Sequence, residues 1–191
     1  NKNTEELLTI HPKEVPASLQ LFGSDPAILA EMAAKIEDRP FSILDFNMGC
    51  PVPKVVNNGE GSALMKNPKL VEEILTKLVK AVKKPVTVKF RKGFDDTCIN
   101  AVEIAKIAES AGVAAVAVHG RTREQYYSGK ADWNIIREVK KAVKIPVIGM
   151  GGIASAEDAI EFILAGASAV AVGAMNFVNP YLTEEVVSGI E

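Results

Sequence analysis

Short apolar runs rich in β-formers, separated by stretches of helical periodicity, constrain this chain more than any other feature. Six such runs stand at residues 17–22, 42–46, 85–90, 114–118, 146–150 and 169–172. Each is nearly continuous in apolar character rather than alternating, which predicts parallel strands buried on both faces. Between them, Ser24-Asp25-Pro26 caps and opens a helix reaching about residue 38. Residues 70–82 repeat apolar positions at three- and four-residue steps with lysines outside. Residues 99–110 do the same and stop at Gly112, a glycine C-cap. Helices at 132–143 and 156–164 complete the set, the second led by the capping-box-like Ser155-Ala156-Glu157-Asp158, and a last one starts near Thr183.

Strand–helix alternation with short links implies parallel strands joined by right-handed crossovers. Each strand ends in glycine and a polar residue, which favours an α/β fold of (β/α) TIM-barrel type, and no GxGxxG follows the first strand to support a dinucleotide fold. A complete barrel needs eight strands and about 200 to 250 residues. This chain of 191 residues offers six, since residues 7–10 are too short and too polar-flanked to make a seventh. Six of eight βα units leave the inner face and two edges uncovered. Such a single domain, 1–191, closes as a smaller barrel, pairs with another copy or belongs to a longer protein; a homo-oligomer is the favoured expectation. The missing initiator Met suggests a processed, trimmed or excised chain.

Composition removes some alternatives. A net charge of −2 gives no global attraction for nucleic acid or an anionic membrane. Two cysteines, Cys50 and Cys98, form no metal-ligand spacing and no disulfide framework, so a reducing cytoplasm is expected. Nothing resembles a signal peptide or a membrane span. Lys66, Lys69, Lys77, Lys80, Lys83 and Lys84 read as solvated helix-face charges.

In a barrel, chemistry sits where strands end. Those positions hold Gln20 and Gly23; Asn47, Gly49 and Cys50; Lys89, Arg91 and Lys92; His119, Arg121 and Arg123; Gly149, Gly151 and Gly152; and Gly173. One strand-end Gln or His is ordinary, but polar residues at every end point to a site. An inward Lys89 needs an anion, either a bound ligand such as a flavin edge or phosphate, or a carboxylate such as Asp45. His119 donates a hydrogen bond to a cofactor carbonyl, acts as an acid, or bonds a neighbouring carbonyl. The Gly-rich ends 149–153 and 172–177, the first followed by a capped helix, suit a phosphate. Cys50, between Gly49 and Pro51, is an inert small hydrophobe, a nucleophile or a proton donor, and the absence of a nearby His or Asp favours the donor. Cys98 opens a helix and reads as structural.

The segments "LQLFGSDP", "NMGCPVPKVVNNGEGSALM", "VTVKFRKGFDD" and "VAVHGRTREQYYSGKADW" closely resemble tRNA-dihydrouridine synthases over about residues 1–149. Those are flavin enzymes on a (β/α)8 barrel that reduce uridine in tRNA with NADPH. The resemblance implies FMN as cofactor, Cys50 as the proton donor to uracil, Asn47 and Arg91 as holders of the base, and Gln20, Lys89 and His119 at the flavin ring. From about residue 150 the text "GMGGIASAEDAIEFILAGASAVAVGAMNF" is similar to class 1 dihydroorotate dehydrogenases, another FMN barrel family. That likeness implies phosphate contacts at Gly151, Gly152, Gly173 and Ala174, and a chimera joined near 149–150. Relative to the synthases, two leading βα units and the helical domain that grips tRNA are absent, so weak tRNA binding is expected. A self-associating scaffold that binds FMN or phosphate without turnover is the rival expectation. Dihydroorotate oxidation is a third, with no orotate-binding motif to support it.

Overall fold

The computed structural model describes residues 6–191. All six expected strands form: β1 (Ser18–Leu21), β2 (Ile43–Asn47), β3 (Val86–Arg91), β4 (Ala115–His119), β5 (Val147–Met150) and β6 (Ala169–Ala171). They make one all-parallel sheet in the order β1-β2-β3-β4-β5-β6. Each crossover carries helix. These are α1 (Pro26–Ile36), α2 (Pro53–Val56), α3 (Pro68–Ala81), α4 (Ala101–Ala111), α5 (Asn134–Ala142) and α6 (Ala156–Leu164), with α7 (Leu182–Ile190) after β6. The caps explain the boundaries. Asp25 accepts from the Ala27 and Ile28 N–H groups, Ser155 accepts from Asp158 N–H, and Gly112 ends α4 in the left-handed region at φ 92°. Short 3-10 turns at Pro12–Glu14, Gly61–Lys66 and Ala174–Phe177 were not foreseen, and no strand forms at residues 7–10. Cys98 lies in the turn before α4, with its thiol 4.0 Å from the Met65 carbonyl.

The helices lie on one face only. α1 packs on α3, α3 on α4, α4 on α5, and α6 on α7, and a single apolar core fills the space between this layer and the sheet. Leu44, Phe46, Val88, Phe90, Val116, Val118 and Val147 point into it and are fully buried. Alternate residues point to the other face: Asp45, Asn47, Thr87, Lys89, Arg91 and His119. The expectation of strands buried on both faces therefore fails. β2 and β3 alternate, and only small residues such as Ala115 and Ala117 made β4 read as continuous.

The sheet stays open. β1 pairs only with β2 and β6 only with β5, so it does not close as a small six-stranded barrel. Apolar side chains stand exposed beyond both edges: Phe22 and Ile28 near β1, and Leu164, Phe177, Val178 and Tyr181 near β6. The lysines are less uniform than expected. Lys66 lies over the Phe94 ring and Lys84 over Phe41, where Lys84 also donates to the Glu37 and Arg39 carbonyls. No helix among the described residues is long and apolar enough to cross a membrane.

Candidate functional site

The carboxyl ends of β2 to β6 surround a cleft of about 490 Å³, within the ordinary range for small-molecule sites. Parallel register puts the rim residues side by side. Asn47 stands opposite Lys89, Arg91 opposite His119, and His119 opposite Met150. Of the ten residues singled out from sequence, nine line this cleft: Asn47, Cys50, Lys89, Arg91, His119, Gly151, Gly152, Gly173 and Ala174.

Gln20 is the exception. It lies in a separate groove along β1 with Leu7, Leu8 and Phe22. Its amide is spent within the sheet, donating to Asp45 Oδ2 at 2.7 Å and accepting from Asn47 Nδ2 at 2.9 Å. Asp45 takes a second bond from Thr87 Oγ1 at 2.6 Å. Gln20 thus fixes the Asn47 amide, whose Oδ1 accepts from Gly49 N–H at 2.9 Å.

That chain of bonds engages both Asp45 oxygens, and no ion pair among the described residues includes Lys89. The Lys89 ammonium sits beside Gly49, where a Cβ would stand 3.2 Å from Nζ. Burial and, secondarily, the Arg91 charge push the Lys89 pKa down, against smaller support from Asp45 and Cys50. A half-buried cation facing a cleft calls for an anionic ligand.

Arg91 is 2% exposed and holds two loops together. Nε donates to the Gly49 carbonyl at 2.9 Å, and Nη1 donates to the Thr122 and Tyr126 carbonyls at 2.8 Å each. Tyr126 has a positive φ of 57°, an uncommon conformation for a non-glycine residue. Arg121 ties the far side of the same loop through the Ser128 and Gly129 carbonyls. The loop so held presents Tyr127 at the mouth of the cleft, 67% exposed, with its ring 5.6 Å from the Arg91 guanidinium carbon.

His119 lies among cations. Burial first, then Arg91, Lys89 and Arg121, push its pKa down to about 3. Arg121 Nη1 stands 3.5 Å from its Nε2. The ring is therefore neutral at ordinary pH, which favours the hydrogen-bonding roles expected of it over the acid role. No Asp or Glu lines the cleft, whose charged lining residues are Lys89, Arg91 and Arg121.

The β5–β6 wall combines glycine backbone with apolar side chains such as Met150, Ile153 and Met175. Gly151 has φ 110°, and a Cβ there would meet His119 Cδ2 at 2.5 Å, so this glycine makes room for the imidazole. At Gly173 a Cβ would meet nothing within 4 Å and would stand in open cleft. The first donors of α6 are partly used by its own cap, Ala154 N–H by Asp158 and Asp158 N–H by Ser155. The glycine-rich strand ends, more than the helix terminus, leave backbone open to the cleft. A half-buried lysine on one side and glycine backbone on the other suit a ligand that carries negative charge, as a flavin mononucleotide does.

Sequence reasoning missed Ser62 and Tyr127. Ser62 is fully buried, and its N–H and Oγ both donate to the Cys50 carbonyl, at 3.0 and 2.8 Å. Its one signal was the run Asn57-Asn58-Gly59-Glu60-Gly61, which must return the chain to its starting point. Tyr127 was visible only as an aromatic inside a polar loop.

Comparison with known proteins agrees with this geometry. The family model described as "Dihydrouridine synthase (Dus)" matches residues 1–190. A probable tRNA-dihydrouridine synthase of Rickettsia bellii is 49% identical over 173 residues, 89% of this chain and 52% of the relative. tRNA-dihydrouridine synthase B of Pseudomonas aeruginosa is 44% identical over 188 residues, 97% of this chain and 57% of the relative. The chain thus spans about half the length of the curated relatives it matches. DHODH of Eimeria tenella, solved with ferulenol, superposes with a TM-score of 0.66 at 16% identity, over 85% of this chain and 53% of that one. That likeness is one of fold, and a barrel fold shared between the two families accounts for the C-terminal resemblance noted from sequence. One family match runs past residues 149–150 without a break, so the expected chimera finds no support. The chain belongs to the dihydrouridine synthase family.

Proposed function

We propose that this chain is the flavin-site portion of an enzyme that reduces uridine in tRNA with NADPH, using FMN held in the cleft. The observation that carries the reading is the composition of the rim. Lys89, Arg91, His119 and Arg121 face one space free of carboxylates, and Cys50 stands at its edge. Lys89 and the neutral His119 are placed to bind the ring system of the cofactor, and Gly151, Gly152, Gly173 and Ala174 its phosphate.

FMN held there and reduced by NADPH would supply a hydride to one carbon of the uracil double bond. Cys50 Sγ holds the proton that goes to the other carbon, so the two hydrogens added are one hydride and one proton. Asn47, fixed by Gln20, presents its amide towards the base. Arg91 acts on the base through the loops it ties, with Nε and Nη1 already committed to carbonyls. The positive rim draws the phosphates of tRNA, although the net charge of −2 leaves that attraction local.

The open sheet, with apolar side chains beyond both edges, favours a second reading: a self-associating scaffold that binds FMN or phosphate without turnover. An FMN titration followed by absorbance, with the solution mass measured alongside, begins the test. Saturable binding, then NADPH-dependent loss of uridine from tRNA, supports the enzyme. An oligomer that binds no FMN, or binds it with no turnover on tRNA, overturns it.

A further inference from the structure

We propose that Ser62, through the Cys50 carbonyl, sets the direction of the Cys50 Cα–Cβ bond from which the thiol projects and is a positioning residue for proton delivery. The inference rests on the reading of Cys50 as the proton donor. Residues 48–52 form neither helix nor strand, so no regular ladder orients the thiol. A residue has two soft dihedrals, φ and ψ, and fixing the peptide planes on either side of its Cα fixes both. The plane before Cys50 is held at the Gly49 carbonyl by Arg91 Nε, 2.9 Å away. The plane after it is held at the Cys50 carbonyl by the two donors of Ser62, at 2.8 and 3.0 Å. Pro51 follows and brings no N–H of its own. With both planes held, the Cα–Cβ bond has one direction, and only the thiol rotamer remains free.

Gly61 allows this approach. It has φ 57°, and a Cβ there would stand 2.9 Å from the Cys50 carbonyl oxygen and 3.1 Å from Cys50 Cβ. The Ser62 hydroxyl is fully buried, and the bond to Cys50 is its described use.

The test compares wild type with Ser62→Ala and, independently, Gly61→Ala. The iodoacetamide alkylation rates of Cys50 and Cys98 are resolved by peptide mass spectrometry. The variants are expected to raise the Cys50 rate at least about threefold relative to Cys98. In the flavin-loaded protein Ser62→Ala should lower kcat for uridine reduction about tenfold or more. KM for tRNA and the rate of flavin reduction by NADPH should hold, and Ser62→Thr should restore part of the loss. An unchanged Cys50-to-Cys98 ratio overturns the proposal. So does a parallel rise at both cysteines with a lower Tm, which would make Ser62 merely structural. A changed ratio in the variants, where the wild-type protein itself never reduces uridine in tRNA, upholds the seating of Cys50 and overturns the uridine-reduction reading instead.

Discussion

Along β2 to β4 the cleft wall carries polar side chains tied to other parts of the chain, whereas along β5 and β6 it carries glycine backbone and apolar side chains. On the first wall Asn47 bonds Gln20 on β1, Arg91 bonds two loops, and Arg121 closes its own loop. On the second, Gly152, Gly173 and Ala174 are exposed and bring no side-chain polar group at all. The difference teaches how the two walls fail. Damage on the first wall should move the reacting groups and destabilise the fold together. Damage on the second should obstruct the ligand while leaving the fold intact, except at Gly151, which touches the first wall through His119.

The largest expected effect is on chemistry alone. Cys50→Ala should cut turnover on tRNA by about 10²- to 10⁴-fold, the usual contribution of a positioned acid, while FMN binding by absorbance titration stays near wild type. Retained turnover would remove the thiol from the mechanism. Next comes Arg91→Met, which strands the Gly49, Thr122 and Tyr126 carbonyls in a dry place. Urea denaturation should show a loss of about 2–4 kcal/mol, since each orphaned buried acceptor costs about 1–3 kcal/mol less whatever local relaxation recovers. A loss below 1 kcal/mol would mean that the two loops stand without their tie.

Gly151→Ala should cost about 1–3 kcal/mol, because an L side chain is strained at that φ and the new methyl displaces the imidazole. FMN affinity should drop with it. More gradual is the acid dependence of His119. Its pKa is about 3 in the folded protein against 6.5 ordinarily, so between those values the unfolded chain binds more protons. The stabilisation is complete above pH 6.5 and fades as pH falls through the window, by at most about 1.4 kcal/mol per pH unit. His119→Gln should flatten that part of the stability curve relative to wild type, and identical curves would place the ring in water. Smallest for the fold is Gly173→Ala, whose methyl enters open cleft. Tm should barely move, corresponding to less than about 0.5 kcal/mol, while FMN binds more weakly. A large drop in Tm there would erase the contrast between the walls.

Legibility followed the range of the interaction. The six strands and the principal helices could be read because each is signalled by its own apolar period and its own cap, as at Asp25, Ser155 and Gly112. Nine of ten rim residues were found because strand ends of a parallel βα fold share one rim. Gln20 was assigned to the cofactor on the same rule, yet it lies on the edge strand, beyond the cleft, where Asp45 and Asn47 take its amide.

The sequence by itself determined the repeating βα order and the residue types delivered to the rim. Those depend on patterns a few residues long. Only the tertiary structure decided what the rim residues do there: that Asp45 is engaged by Gln20 and Thr87 rather than paired with Lys89, that His119 is neutral among three cations, and that Ser62 returns to Cys50. Apart from the neighbouring Arg121, these turn on groups 12 to 42 residues apart in the chain. Such distances are set by register and loop closure, which no local pattern records.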